Sequence, residues 1–469
     1  MNHDVYVVDT EPAYPKPPYG DDTPLKRALA RLFVTWGLDS ENPFERWLSP
    51  GGSALIKPNW VRDYNPLGHD LDSLISHASV MKYLIDFLVR ALEGKGTIVI
   101  ADAPLQNCDF PNLQKRSGFE QMIERARSEH SGIEFIVEDW RLTVFHQQNW
   151  LSSWKTRKIQ DTLDDGKREI DRYRLVDLGT ESFLEEISDH SDLFRVTNYP
   201  HSVLKEHHRP GKHEYLVARR LSEVDFVINL PKMKTHIKAG VTGALKNLVG
   251  INGHKEFLPH HIKGPYFKGG DNYCMPNLFR ESYEGYYDDF WEKQGNGGFH
   301  PLKRKALSFR LSALWRLSRV FGQERISAGS WSGNDTVWRT ALDLNHVMHF
   351  SEWSPKHIIN IVDGVVAGEG DGPLAPSPKP VGMLVGGENP AYVDAALAKM
   401  MGYNVARIPI VYHAIYNRKS RLAGPLLDQW HVHLAQGDVP VQTTPFAQLP
   451  NLSFKKPYYW RRAETRIPQ

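Results

Sequence analysis

The sequence predicts an α/β protein, a mostly parallel sheet flanked by helices and interrupted by two long insertions. Three observations carry this. Apolar runs at 53–56 and 97–101 enclose an amphipathic stretch, the strand–helix–strand order of a parallel βαβ unit. Strand-like runs recur at 225–230, 357–362 and 382–385. The stretches between them, at about 140–215 and 252–340, hold too many Trp, Tyr and Phe residues for disordered linkers, so they read as insertions in one core.

Residues 1–50 form an N-terminal arm and helix. The proline-rich stretch 11–24 is irregular, and a helix covers 25–36. Gly51 and Gly52 lead into the first strand, which Pro58 stops. Ser76 or Ser79 caps the next helix, which runs to Leu92 with Gly94 at its end and Val80, Leu84, Phe87 and Leu88 on one face. The strand at 97–101 closes on Asp102, and the one at 225–230 on Pro231. A last helix begins near Pro390 and ends at Gly402. The α/β core therefore spans 51–415, with a C-terminal extension over 416–469.

The 469 residues are 41% hydrophobic and 24% charged, enough for a real core in one large domain or two to three smaller ones. Lys plus Arg total 57 against 55 Asp plus Glu, which lacks the basic footprint of a nucleic-acid binder. The two cysteines, Cys108 and Cys274, supply neither a disulfide framework nor the four thiolates of an iron–sulfur cluster. The first ten residues lack a signal-peptide pattern, and no run approaches the ~20 apolar residues of a membrane span. The expected compartment is the cytosol. Oligomeric state is not legible.

Ligands of open α/β sheets bind beyond the carboxyl ends of the strands. The residues found there are Lys57 and Asn59, Asp102, then Lys232, Lys234 and His236, then Asp363, Glu369 and Asp371. Any α/β protein has polar strand ends, so the sharper signal is the loop at 232–250. It sets three glycines and two threonines among four lysines and one histidine. A helix N-terminus near Thr242 and Gly243 favours an anion, and Lys232, Lys234 and Lys246 would neutralise phosphate or carboxylate. The spacing is not that of a phosphate-binding P-loop, and a solvated lysine-rich loop is the bland alternative. His260 and His261 are candidate ligands for a divalent metal, although their spacing fits no standard zinc pattern. The glycine-rich acidic stretch 363–371 reads as a loop for Mg²⁺ or substrate hydroxyls, or as a long turn. In 301–322, Leu302, Ala306, Phe309, Ala313, Leu317 and Val320 share a stripe, with Arg304, Lys305, Arg316 and Arg319 opposite. The commoner reading is a surface helix whose stripe packs on the core; the other is peripheral contact with an anionic membrane.

Several motifs fall in a familiar order: Ile56-Lys-Pro-Asn59, Ile100-Ala-Asp102-Ala-Pro104, Asn229-Leu-Pro-Lys-Met-Lys-Thr-His236, Gly243-Ala-Leu-Lys-Asn-Leu-Val-Gly250, Val362-Asp-Gly364, Pro390-Ala-Tyr-Val-Asp394 and Met401-Gly402. Together they resemble the domain of unknown function 362 family from about residue 53 to 412, outside the insertions. Many members carry an appended iron–sulfur segment, and this chain departs from them in its cysteines. The stretch from His236 to Lys246 is also similar to the loop of lactate racemase-type enzymes. That resemblance implies Lys246 as the anchor of a nickel pincer nucleotide and His236 as a substrate or acid–base residue. It places His260 and His261 near the interval of a metal-ligand histidine. Ala244 stands where that loop has glycine, so the likeness implies a site and an ancestry, not racemase activity.

The resulting expectation is an enzyme for a small anionic ligand, with its cofactor open. His236, Lys246 and Asp102 would be catalytic, and Lys57, Asn59, Lys232, Lys234, Thr242, Gly243, Asn247 and Asp363 would bind the ligand. The alternative is a non-catalytic binding or assembly protein of a surface-polysaccharide or cofactor pathway, with 252–340 as its contact surface.

Overall fold

A computed structural model describes residues 1–146, 155–158, 169–295, 301–321, 328–437 and 439–461. Parts of both expected insertions, residue 322 and residues 462–469 lie outside them. The chain divides into two units. One comprises Met1–Trp140, Arg219–Ile251 and Asn345–Gln469; the other comprises Arg141–Ala218 and Asn252–Leu344.

In the first unit, several helices start at a side chain that accepts a backbone N–H group. Strand β1 (Val5–Asp9) leads through the proline-rich arm to Thr23, whose hydroxyl accepts from Lys26 N–H and starts α1 (Pro24–Thr35). After β2 (Ser53–Pro58), helix α2 (Ala78–Ala91) is capped by the ring of His77, which accepts from Ser79 N–H. Neither expected serine is the cap. Ser76 instead donates to the Leu230 carbonyl at 2.6 Å and accepts from Asn59 N–H at 2.8 Å, tying together the ends of two strands. Strand β3 (Gly96–Asp102), helices α3 (Phe110–Arg116) and α4 (Phe119–Glu129), and β4 (Ile133–Asp139) follow.

The chain re-enters this unit at β5 (Phe226–Leu230), β6 (Lys232–His236), β7 (Gly240–Thr242) and the single turn α5 (Ala244–Asn247). It ends with β8 (His357–Asp371), β9 (Ala375–Gly387), α6 (Pro390–Met400), α7 (Pro409–Tyr416), β10 (His431–Ala435) and β11 (Gln442–Pro445). Among the described residues the sheet has eleven strands, in the order β11-β10-β1-β9-β8-β5-β2-β3-β4, with β6 paired to β8 and β7. Strands β8, β5, β2, β3 and β4 run parallel, while β9 is antiparallel to both β1 and β8. The sheet is thus mostly parallel, with antiparallel pairs on one side. The central strands are buried on both faces, which is why they read as mostly apolar runs. Phe33, Phe44, Phe87 and Phe226 form an aromatic cluster in the core, with Phe44 5.2 Å from both Phe33 and Phe226. Truncating one to alanine would cost about 3–5 kcal/mol.

Two expected loops are strands. Residues 363–371 continue β8 and pair with β9, Asp363 opposite Leu384 and Asp371 opposite Ala375. Residues 232–236 form β6, which pairs with β8 at Lys234 and Gly368. Glycine explains both differences. A Cβ on Gly368 would lie 2.5 Å from the Ser73 carbonyl and 2.9 Å from Lys234 Cβ. Glycine here serves close approach of neighbouring chain within a strand, not a turn.

The second unit holds a three-stranded antiparallel sheet (Tyr173–Asp177, Lys212–Ala218, His208–Arg209) and the strand pair Phe194–Arg195 with His261–Ile262. It also holds the packed helices Leu278–Gly295 and Pro301–Phe321. Buried Asp343 accepts from Ser182 Oγ, Phe183 N–H and Tyr215 Oη, which organises its interior. Among the described residues no helix is long and apolar enough to cross a membrane.

Candidate functional site

Because β2, β3 and β5 are parallel neighbours, their carboxyl ends meet at one edge of the sheet. Lys57 Nζ donates there to Asp102 Oδ1 at 2.7 Å, to the Pro58 carbonyl at 3.0 Å and to Asn247 Oδ1 at 3.4 Å. Asp102 also accepts from the N–H groups of Trp60 and Ala103. Gly250 makes room for this pair: a Cβ would fall 2.1 Å from Asp102 Oδ1 and 2.7 Å from Lys57 Nζ.

A run of asparagines spans the same edge. Asn59 donates to Asn247 at 2.9 Å, Asn247 to Asn229 at 2.7 Å, and Asn229 to Asn360 at 2.8 Å. Each amide thus fixes the orientation of the next. Lys234 Nζ donates to Asn59 Oδ1 at 2.6 Å and to the Leu74 carbonyl. Alongside, Lys232 Nζ pairs with Asp363 Oδ2 at 2.8 Å and donates to Tyr14 Oη. Tyr14 donates to Asp363 Oδ1 at 2.6 Å and stacks on His77, ring centres 3.8 Å apart.

Alternation along β6 puts Lys234 and His236 on one face. The antiparallel register brings Thr242 opposite Lys234 and Gly240 opposite His236. The Thr242 hydroxyl is buried with no hydrogen-bond partner. His236 Nδ1 accepts from the N–H groups of Lys238 and Ala239, each at 3.0 Å, which assigns the proton of a neutral ring to Nε2. The first turn of α5 already holds a carboxyl group: Asp394 accepts from Ala244 N–H at 2.6 Å and Leu245 N–H at 3.0 Å. A Cβ on Gly243 would sit 2.1 Å from Asp394 Oδ1, so that glycine admits the protein's own carboxylate where a ligand was expected. Burial lifts the Asp394 carboxyl to about 7.

The charges do not balance. Lys57 and Lys232 each face a carboxylate. Lys234 meets only neutral oxygens, and burial holds its amine well below the ordinary range, with Lys232 and Lys246 adding repulsion. Lys246 has neither hydrogen bond nor ion pair among the described residues. Desolvation, then the charges of Lys238 and Lys57, bring its amine down to about 7.

Of the residues singled out from the sequence, Lys57, Asn59, Asp102, Lys234 and Asn247 share one hydrogen-bonded network. Lys232 and Asp363 pair beside it, and Lys246 lies within electrostatic reach of Lys57. Thr242, Gly243 and His236 stand on the adjoining hairpin and turn. His260 and His261 belong to the second unit, where His260 Nδ1 lies 2.6 Å from the Leu258 carbonyl and His261 pairs with Arg195 in a strand. Among the described residues no group of three or more His, Cys, Asp or Glu is arranged to hold a metal. Sequence reasoning missed Tyr14, His77, Asn229, Asn360 and Asp394. Asn229 and Asp394 stood inside the quoted motifs; Tyr14 and His77 left no signal.

A search of curated proteins found no match. A crystal structure of a protein from Thermotoga maritima aligns with 78% of this chain and 56% of its own length, at 10% identity and a TM-score of 0.31. At that score the likeness carries no argument, and the chain spans little more than half of that protein. A family profile gives the firmer result, matching residues 175–399 and with them the stretch from β5 to α6. That segment, a little under half of the chain, matches the domain of unknown function (DUF362).

Proposed function

We propose that the protein is an enzyme acting on a small carboxylate or phosphate bound at the buried lysine cluster. One observation carries the reading: two of four clustered lysines lack a counter-charge, and the amine of Lys246 lacks any partner among the described residues. Such an amine costs folding free energy, and a bound anion would offset that cost. Lys234 supplies an amine donor and Thr242 a hydroxyl donor. Lys246, near 7, is suited to giving or taking a proton at neutral pH. His236 offers the Nε2 proton that its backbone contacts assign. Asp102 and Asp363 act as positioning residues, since each carboxylate is saturated by a lysine and further donors.

Titration calorimetry with inorganic phosphate and with glycolate tests this on wild type, Lys246→Met and Lys234→Met. Binding of one anion, weakened about tenfold or more in both variants, is expected, since each charge-assisted contact contributes about 1.5–3 kcal/mol. Absence of anion binding, or equal affinity in the variants, refutes it. Intact-mass analysis of the purified protein tests Lys246 as a covalent anchor: an adduct lost in Lys246→Met supports it, and an unmodified mass excludes it.

A further inference from the structure

The Pro301–Phe321 helix has no acidic residue and carries Lys303, Arg304, Lys305, Arg310, Arg316 and Arg319. Its sequence suggested a stripe buried on the core, and the structure shows the reverse. Leu302, Phe309 and Val320 are 72%, 78% and 75% exposed, and Phe321 is 69% exposed. The packed side is the one with Ser318, which is buried, and Trp315, which contacts Tyr283 of the Leu278–Gly295 helix at 5.6 Å.

At about 100° per residue, Leu302, Phe309, Ala313 and Val320 fall on one line along the helix. Lys305 and Arg316 border that line on one side, and Lys303 and Arg310 on the other. These bases flank the stripe; they do not oppose it. None of Lys303, Lys305 and Arg316 has an ion pair among the described residues, whereas Arg310 lies over the Tyr286 ring at 4.0 Å. The apolar surface continues past the helix end, where Phe321 stacks on Phe279 at 5.4 Å beside the exposed Leu278.

We propose that this helix docks in the plane of a membrane surface rich in anionic lipid, its apolar stripe entering the headgroup boundary and its flanking bases meeting lipid phosphates and carboxylates. Charge complementarity selects this occupant. A stripe edged by cations on both sides fits an extended, flat, negative surface. A second copy would bring an equally basic helix against it, and like charges oppose that pairing. No helix crosses the bilayer in this arrangement, which agrees with the lack of a spanning helix among the described residues.

The test is co-sedimentation of the full chain with phosphatidylcholine vesicles, with and without about a quarter phosphatidylserine. Wild type should pellet with the anionic vesicles and stay in solution with the neutral ones, and salt should weaken binding. Lys305→Gln/Arg316→Gln should lower partitioning about tenfold or more, each base near the surface being worth roughly fivefold. Phe309→Glu/Val320→Glu should abolish it. Both apolar positions are exposed, so unchanged circular dichroism and melting are expected and serve as the folding control. The proposal is overturned if wild type ignores anionic vesicles or if the Gln variant binds them equally. It also falls if light scattering shows a dimer that Phe309→Glu dissolves, which would make a second copy the occupant.

Discussion

Replacing Lys246 with methionine should stabilise the protein at neutral pH while weakening the proposed anion binding. Methionine keeps the length and flexibility of the side chain and discards the charge. An amine lowered from its ordinary 10.5 to about 7 bears roughly 5 kcal/mol of cost in its charged form, at 1.36 kcal/mol per pH unit. Lys246 keeps some solvent access, so the expected gain at pH 7 is nearer 2 kcal/mol. The sign follows from proton binding. Between about 7 and 10.5 the unfolded chain binds the Lys246 proton more tightly than the folded one. Wild-type stability therefore rises through that window, and the advantage of methionine shrinks as pH approaches 10. Urea unfolding followed by tryptophan emission at pH 7 and pH 10 measures both quantities. A variant less stable than wild type at pH 7, or a gain that is the same at both pH values, would refute the reasoning and make Lys246 a structural lysine.

Gly250→Ala places a methyl group on the Asp102–Lys57 pair and should cost about 3 kcal/mol or more, read as a lower urea midpoint; a change within about 0.5 kcal/mol would contradict the packing described. Asp394, raised to about 7, binds its proton more tightly folded than unfolded, so wild-type stability falls as pH rises from about 4 to 7. Asp394→Asn should accordingly gain on wild type across that interval in melting scans, and parallel pH profiles would argue against it. His77 and His208 are each held at about 3 by burial, against an ordinary 6.5. Their share of stability is intact above 6.5 and lost as pH falls toward 3, by up to about 4 kcal/mol each, so His208→Gln should flatten the acid limb of the stability curve.

What the sequence disclosed follows from local physics. Strands β2, β3 and β5 were legible because a strand buried on both faces is mostly apolar, and their parallel order followed from the helix between the first two. Strand ends then pointed to Lys57, Asp102 and Lys234. Partners contributed from afar left little trace: Tyr14 meets Asp363 across 349 positions, and Asp394 meets Ala244 across 150. Glycine misled at 363–371, where composition suggests a turn and the actual demand is close packing against Ser73 and Lys234. The stripe at 301–322 misled for another reason. Periodicity reveals that a helix has an apolar side, not which way that side faces.

The strand order has a practical consequence for anyone who excises the family-matched segment. Residues 175–399 include β5 but omit β2 and β3. Cutting there would strip β5 of the neighbour it pairs with over five positions, from Phe226 opposite Ala54 to Leu230 opposite Pro58. An unpaired, largely apolar edge is a template for aggregation. The fragment would also retain Asn247 and Lys234 without the Lys57 and Asn59 that meet them. Insolubility of such a fragment would reflect where the scissors fell, and an inert one would say nothing about the chemistry of the whole chain.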